Sequence, residues 1–293
     1  MSPRRQSTEI CFRFFGLAVR IRSSVPEFTE KVTQVFFPFR ASGSTGRSLA
    51  SYRVTGKNST KLSRGGKVVY ESERLHYVLE YLESDLLSLL IEHLTGHLLV
   101  HAGAVARADN VLLLPGRSGS GKTTLVAGLV RNGFTHVTDE MAVFDAEESR
   151  LHPFPKALNM KTGSLELFQP FVNGIRLMDP DGTSEKDRIH HVLIPPEKVQ
   201  SPAESLRVNR VIFPRFEANG EDCLKPMTRA QAIAEIARAS FNHYRLQDGI
   251  VECLENLVRP AECYSLVYSR LERALEILEK LCDPVRDRSA TGS

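Results

Sequence analysis

The sequence predicts an α/β fold: a strand–glycine loop–helix domain preceded by a small, basic, β-rich module. Three observations carry that reading. Residues 111–133, VLLLPGRSGSGKTTLVAGLVRNG, pass from an apolar run through three glycines into a helical run. Downstream of residue 73, β-prone segments alternate with segments of helical period. The first 70 residues are instead dense in short aromatic and β-branched runs, and hold 13 Lys/Arg against 3 Asp/Glu.

Taken in order, FRFFGLAVRI (12–21) and KVTQVFFPF (31–39) read as strands by composition, as do SYRVTG (51–56) and KVVYES (67–72). ASGSTGRS and NSTKLSRGG between them read as turns or loops. In 73–96 the period changes. Leu75, Leu79, Leu82, Leu86, Leu90 and Leu94 recur at three- and four-residue steps, an amphipathic helix. LLVHAGAVAR (98–107) reads as one strand or two short ones, and THVTDEMAVFD (135–145) as a strand leaving two acids near its end. RLHPFP (150–155) opens an irregular connection, and 156–190 has no clear period. RIHHVLIP (188–195) and LRVNRVIFPRF (206–216) read as strands. Residues 227–241, with Thr228 as N-cap, 246–258 and 269–282 read as helices. The expected organisation is a β-rich module over 1–72, suited to recognising an acceptor, a main domain over 73–283, and a disordered tail over 284–293.

With 293 residues, 42% hydrophobic and 25% charged, the chain can close a core without staples, which excludes collagen-like and fully disordered classes. Five cysteines, without a CxxC pair, read as reduced thiols of a cytoplasmic protein. No HExxH or His/Cys cluster at zinc spacing occurs, and no apolar stretch is long enough to span a membrane. The opening MSPRRQSTEI lacks the apolar run of a secretory signal. Beyond residue 70 the balance reverses to 25 basic against 32 acidic residues. The basic module therefore either docks on the acidic remainder or meets an acidic partner. Nucleic acid is not expected, since no zinc-finger, RNP-like or helix-turn-helix pattern accompanies the charge.

The strongest chemical signal is Gly116-Arg117-Ser118-Gly119-Ser120-Gly121-Lys122-Thr123, followed by Thr124, a complete G-x-x-x-x-G-K-[ST] motif. Glycines let successive N–H groups converge on phosphate, and the helix N-terminus favours the anion. Lys122 suits the β- and γ-phosphates, and Thr123 can offer a hydroxyl to Mg²⁺. Asp139 and Glu140 end a β-prone run one helix later, where a carboxylate can hold the ion or accept a hydroxyl proton. His101, on the strand before the loop strand, is either a core histidine bonded to backbone or a group that orients phosphate.

HAGAV, LLLPGRSGSGKTTL, GFTHVTDE and RVIFPRF…LKPMTRAQAIAEIARASFNHYRL, in that order over roughly 95–280, resemble the HPr kinase/phosphorylase family. They look closer still to the HPr-kinase-related proteins of bacterial gene clusters. The resemblance implies a P-loop kinase domain similar to phosphoenolpyruvate carboxykinase, with a twisted mixed sheet. It further implies transfer of phosphate from ATP, with Mg²⁺, to a serine hydroxyl. By the same resemblance His101 matches the family's histidine, Lys122 and Thr123 the phosphate and metal residues, and Asp139 the base. Glu140 stands where the family has a second Asp, as metal ligand or water anchor. The family's acidic-Ile-Arg-Gly signature is absent, which puts the phosphorylase reaction and HPr itself in doubt. Lys156, Lys161 and Arg215 are candidate phosphate or acceptor contacts, each with a plain structural alternative.

The sequence thus points to an ATP- and Mg²⁺-dependent kinase acting on a serine of a peptide or protein. The alternatives are a small-molecule hydroxyl kinase and a nucleotide-gated regulatory protein without transfer. The oligomeric state is left open, a homo-oligomer included.

Overall fold

The computed structural model describes residues 7–43, 46–166, 176–177, 189–245 and 249–283. The expected tail and much of the segment without a clear period lie outside the described residues. In chain order, β1 (Thr8–Phe14) and β2 (Leu17–Ser23) precede α1 (Pro26–Val35). Next come β3 (Arg47–Gly56), β4 (Thr60–Arg64), β5 (Lys67–Ser72) and α2 (Leu75–His93). β6 (His97–Arg107), β7 (Asn110–Pro115), α3 (Lys122–Arg131), β8 (Thr135–Thr138), β9 (Met141–Asp145) and β10 (Leu151–His152) follow. Then come β11 (Leu158–Lys161), α4 (Thr162–Glu166), β12 (Arg176–Leu177) and β13 (Ile189–Leu193). The chain ends with β14 (Arg210–Phe216), β15 (Cys223–Pro226), α5 (Arg229–Ala239), α6 (Gly249–Val258), β16 (Glu262–Tyr268) and α7 (Leu271–Cys282).

Two compact units result: Met1–His97 with Pro155–Pro202, and Leu98–Phe154 with Ala203–Ser293. The sequence places the first boundary at residue 72. In the structure α2 and the later insertion group with the N-terminal sheet. That sheet has the order β1-β2-β3-β4-β5, with β2 and β3 parallel and the other pairs antiparallel. A three-stranded sheet, β11-β13-β12, accompanies it.

One expected strand is corrected. Residues 31–35 are the end of helix α1, and Phe37–Phe39 form one 3-10 turn. Pro26 sits in the first helical turn, Glu27 follows it, and Phe28, Val32 and Val35 are buried. Their steps of four and three are the helical period, visible once PEFTE is read with KVTQV. A helix here also supplies the crossover that the parallel β2–β3 pair requires. Each of the three buried side chains contributes roughly 1.5–3 kcal/mol relative to exposure. The aromatic run packs beside them, with Phe14 edge-on to Phe36 at 5.4 Å and against Phe39 at 4.7 Å.

Lys156, one of the candidate phosphate or acceptor contacts, takes a structural place instead. It is buried in the first unit, and its amine donates to Glu83 Oε2 of α2 at 3.0 Å. His191 of β13 bonds the other oxygen of Glu83, and Asn159 donates to Oε2 at 3.3 Å. This cluster ties α2 to the 155–202 insertion. Burial alone would raise the Glu83 pKa, but Lys156 and His191 outweigh it and hold the carboxyl down to about 2. Because the folded value lies below the ordinary 4.5, the stabilisation is present above pH 4.5 and is lost as pH falls toward 2. Thermal melts between pH 6 and 2.5 should therefore fall more steeply for the wild type than for Glu83→Gln. Parallel slopes would remove Glu83 as a source of acid lability.

The second unit is built on an eight-stranded mixed sheet, β10-β9-β6-β7-β14-β16-β15, with β8 on β6. β7, β14 and β16 run parallel, while β6–β7 and β15–β16 are antiparallel. The core strand β7 is buried from Val111 to Pro115, as its unbroken apolar run requires. Thr228 caps α5, as the sequence indicates, and the structure adds a reciprocal capping box with Gln231. All five cysteines are free. Among the described residues, no helix is long and apolar enough to cross a membrane.

Candidate functional site

Parallel strands deliver their C-terminal ends to one edge of a sheet, the usual place for a ligand in such a fold. Here those ends are Pro115 of β7, Phe216 of β14 and Tyr268 of β16, with Tyr268 edge-on to Phe216 at 5.6 Å. The glycine loop leaves β7 at this edge. The Ser120 N–H donates to the Arg117 carbonyl at 3.2 Å. Gly119 (φ 85°) and Gly121 (φ 91°) take the left-handed conformation, and α3 starts at Lys122. Arg117, Ser118 and Gly119 are exposed, while Thr123 is half-buried and Thr124 buried. Ser120 Oγ is buried and has no hydrogen-bond partner among the described residues.

Gly121 is tied to a residue that local spacing did not reveal. A Cβ added there would lie 1.9 Å from the Tyr268 hydroxyl oxygen. Burial pushes the Tyr268 phenol up to about 12, so it stays protonated. Gly121→Ala is expected to cost about 2–5 kcal/mol, combining left-handed strain of about 1–2 with overpacking of about 1–3. Adding Tyr268→Phe removes the oxygen and leaves the ring carbon at 3.1 Å as the nearest atom, so it should restore most of the overpacking share and none of the strain. Urea unfolding of both variants tests this, and identical losses would mean the hydroxyl is not what excludes a side chain.

The Lys122 side chain is 5% exposed and curls back over the loop. Its amine donates to the carbonyls of Gly116 at 2.8 Å and Arg117 at 2.9 Å. Burial pushes its pKa down to about 8, against the opposing pull of Asp139 and Glu140. His101 lies on β6 opposite the loop, and its carbonyl accepts the Gly116 N–H at 3.2 Å. Its half-buried ring stands 5.6 Å from that of Phe241. Burial, reinforced by the charge of Lys122 and opposed by Glu140, holds its pKa down to about 4. The imidazole is thus neutral at pH 7 and acts as a dipole rather than a cation.

The two acids are not on a continuous strand. β8 ends at Thr138 and β9 begins at Met141, leaving Asp139 and Glu140 in the bend between them. Thr138 Oγ1 donates to the Met141 carbonyl at 2.9 Å and closes that bend. Asp139 Oδ1 is 3.8 Å from where a Cβ on Gly103 of β6 would sit. Lys122, His101, Asp139 and Glu140 therefore share one electrostatic neighbourhood, supplied by α3, β6 and the β8–β9 bend.

A cleft of about 800 Å³ opens beside the loop. Gly116, Arg117 and Ser120 line one part of it, Phe213 and Leu266 another, and Arg215 also faces it. Arg215 is exposed and ion-paired with Glu217 at 2.8 Å. Lys161, in the other unit, is exposed at the end of β11. Of the predicted residues, the fold brings together the loop, Lys122, His101, Asp139 and Glu140, and sets Arg215 on the cleft beside the loop; Lys156 serves the Glu83 cluster instead. Tyr268 could have been anticipated only from β16 being a parallel strand ending at the loop's edge.

The donor set fits a phosphate-bound Mg²⁺. Among the described residues, no group of three or more His, Cys, Asp or Glu could hold a metal ion on its own. Thr123 with Asp139 or Glu140 offers few oxygen ligands, the sparse protein share usual for Mg²⁺ that takes its other ligands from phosphate and water. The buried hydroxyl of Ser120 and the inward-curled amine of Lys122 are donors suited to a phosphate.

No known family profile matches the chain, and no curated protein does. Among solved structures it is similar to the HPr(Ser) kinase/phosphatase from Coxiella burnetii. The likeness covers 62% of this chain and 96% of that one at 12% identity, with a TM-score of 0.30. At those values it is a distant structural relationship and carries no argument about chemistry.

Proposed function

We propose that the second unit binds ATP with Mg²⁺ and transfers the γ-phosphoryl group to a hydroxyl, a serine of a peptide or protein being the acceptor. The observation that carries this reading is the pairing of a glycine loop and its lysine with two carboxylates in one electrostatic neighbourhood. Phosphoryl transfer asks little covalent chemistry of a protein; it asks for phosphate contacts, charge neutralisation and a place for the acceptor proton.

In this reading the Lys122 amine exchanges the Gly116 and Arg117 carbonyls for phosphate oxygens, and Ser120 Oγ gains an acceptor. Asp139 takes the hydroxyl proton. Glu140 and Thr123 turn to the metal, which when bound would neutralise phosphate charge. Neutral His101 contributes a hydrogen bond without adding positive charge beside Lys122. Arg215 and the adjoining cleft are left for the rest of the donor or for the acceptor.

Incubation with Mg·ATP and hydroxyl-bearing candidates, peptides and small molecules alike, followed by mass spectrometry, tests the proposal. An acceptor gaining one phosphoryl group supports it, and the acceptor's size decides between peptide and small molecule. Nucleotide binding with no transfer to any acceptor would favour a nucleotide-gated regulator. Absence of nucleotide binding would overturn both.

A further inference from the structure

We propose that the outward face of the N-terminal sheet is a docking groove for an extended, acidic peptide segment. The alternation of β1 to β4 turns Ile10, Phe12, Val19, Ile21, Tyr52, Val54 and Leu62 inward, all of them buried. The same alternation turns Arg20 and Arg22 of β2 and Ser51 and Arg53 of β3 outward. Register places Arg22 directly opposite Arg53, and Arg20 opposite Ser51. Like charges facing each other across two strands destabilise a sheet, so this arrangement runs against stability alone.

Neutralisation within the unit is selective. Arg22 donates to Glu9 at 2.7 Å, Lys61 pairs with Glu71 at 3.4 Å, and Arg64 pairs with Asp85 at 2.8 Å. Arg20 and Arg53 have no ion pair among the described residues. The Nε of Arg20 is buried and donates no hydrogen bond there. These residues lie on β2 and β3, inside the sheet order. The protection of exposed edges by charge does not account for them. A groove of about 450 Å³ collects Arg20, Arg22 and Arg53 with Ser51, Ser63 and Glu9.

The chemistry of this groove fits carboxylates on a peptide. Arginine forks match carboxylates in pairs of hydrogen bonds. Along β2, Arg20 and Arg22 are two residues apart, roughly 6.6 Å, the spacing of same-face side chains in any extended chain. An acidic residue at every second position would therefore meet both, with Arg53 one strand away, about 4.8 Å. The Glu9–Arg22 pair is exposed on both sides and is cheap to exchange. Single-stranded nucleic acid is disfavoured: no aromatic ring of β1 to β4 faces outward among the described residues, so there is no stacking platform, and Glu9 would repel phosphate.

The inference is independent of the phosphoryl-transfer reading and is tested by binding alone. A fluorescein-labelled octapeptide alternating Glu and Ser is titrated into the full chain and followed by anisotropy. A Lys/Ser octapeptide, free glutamate as competitor and a labelled oligothymidine are run beside it. Saturable binding of the Glu/Ser peptide is expected, weakened about tenfold or more by Arg20→Gln with Arg53→Gln, as loss of two charge-assisted contacts implies. Arg53→Gln alone, at an exposed position, should show part of that loss with a melting temperature that is unchanged or higher, since it relieves the opposition to Arg22. Lys57→Gln removes the same charge from the β3–β4 turn and should change affinity less than about twofold. Equal weakening by Lys57→Gln, tighter binding of oligothymidine, or no saturable binding of the acidic peptide overturns the proposal.

Discussion

Lys122→Ala is expected to lower the affinity for Mg·ATP and to cut any phosphoryl transfer by roughly 10² to 10³-fold, the usual result of removing one preorganised donor from developing charge. The fold should survive. A lysine whose pKa is pushed down to about 8 by burial is strained as a cation at neutral pH. With the folded value below the ordinary 10.5, stability rises between pH 8 and 10.5 as the folded state sheds its proton first. Below pH 8 the full cost is present, so truncation should leave the melting temperature unchanged or higher. That separates a lysine kept for a ligand from one kept for packing. Ligand phosphate reverses the strain, because it favours the charged amine. Affinity should accordingly weaken as pH rises through about 8, and that limb should vanish in Lys122→Ala. Calorimetric titration of ATP and Mg²⁺ at pH 7 and 9 reads both effects. Equal affinity in wild type and variant would end the assignment of the loop to phosphate, whatever the melting data show.

The loop was legible because everything that shapes it is local. An apolar strand, three glycines and a helical run sit within 23 residues, and no distant partner is needed to recognise them. The acids were legible as residues but not as a geometry. Adjacent residues on a strand face opposite ways, and the interruption of the strand at 139–140, closed by the bond from Thr138 to the Met141 carbonyl, is not written in local composition. Lys156 and Tyr268 were not legible at all. Lys156 answers to Glu83 and Tyr268 to Gly121, each far away along the chain. A lysine drawn into a core by a carboxylate looks, in sequence, like any surface lysine. The charge of the N-terminal module was countable, yet the opposition of Arg22 and Arg53 required the parallel β2–β3 register. Helix α1, which makes that register possible, combines a β-prone composition with the helical spacing of Phe28, Val32 and Val35, and in such a short segment the two signals conflict.

The largest single effect is expected at Asp139. A serine hydroxyl is a weak nucleophile until a carboxylate accepts its hydrogen bond, and that help is typically worth roughly 10² to 10⁴ in rate. Had β8 continued through both acids, one would have faced away from the loop. The bend puts both acids within electrostatic reach of Lys122, whose pKa each of them pulls upward. Their environments differ: Asp139 lies close against Gly103 of β6, while Glu140 is the acid that also acts on His101. If Asp139 is the proton acceptor and Glu140 serves the metal, Asp139→Asn should keep Mg·ATP affinity and lose transfer. No Mg²⁺ concentration should restore it, because asparagine is isosteric but accepts no proton. Glu140→Gln should instead shift the Mg²⁺ dependence to higher concentration and recover most of the rate at saturation, since a metal site short of one ligand is weakened rather than abolished. Transfer rates for both variants across a Mg²⁺ titration separate the roles. Rescue of Asp139→Asn by metal, with Glu140→Gln inert at every concentration, would exchange the two assignments. Failure of both to change the rate would place the chemistry elsewhere.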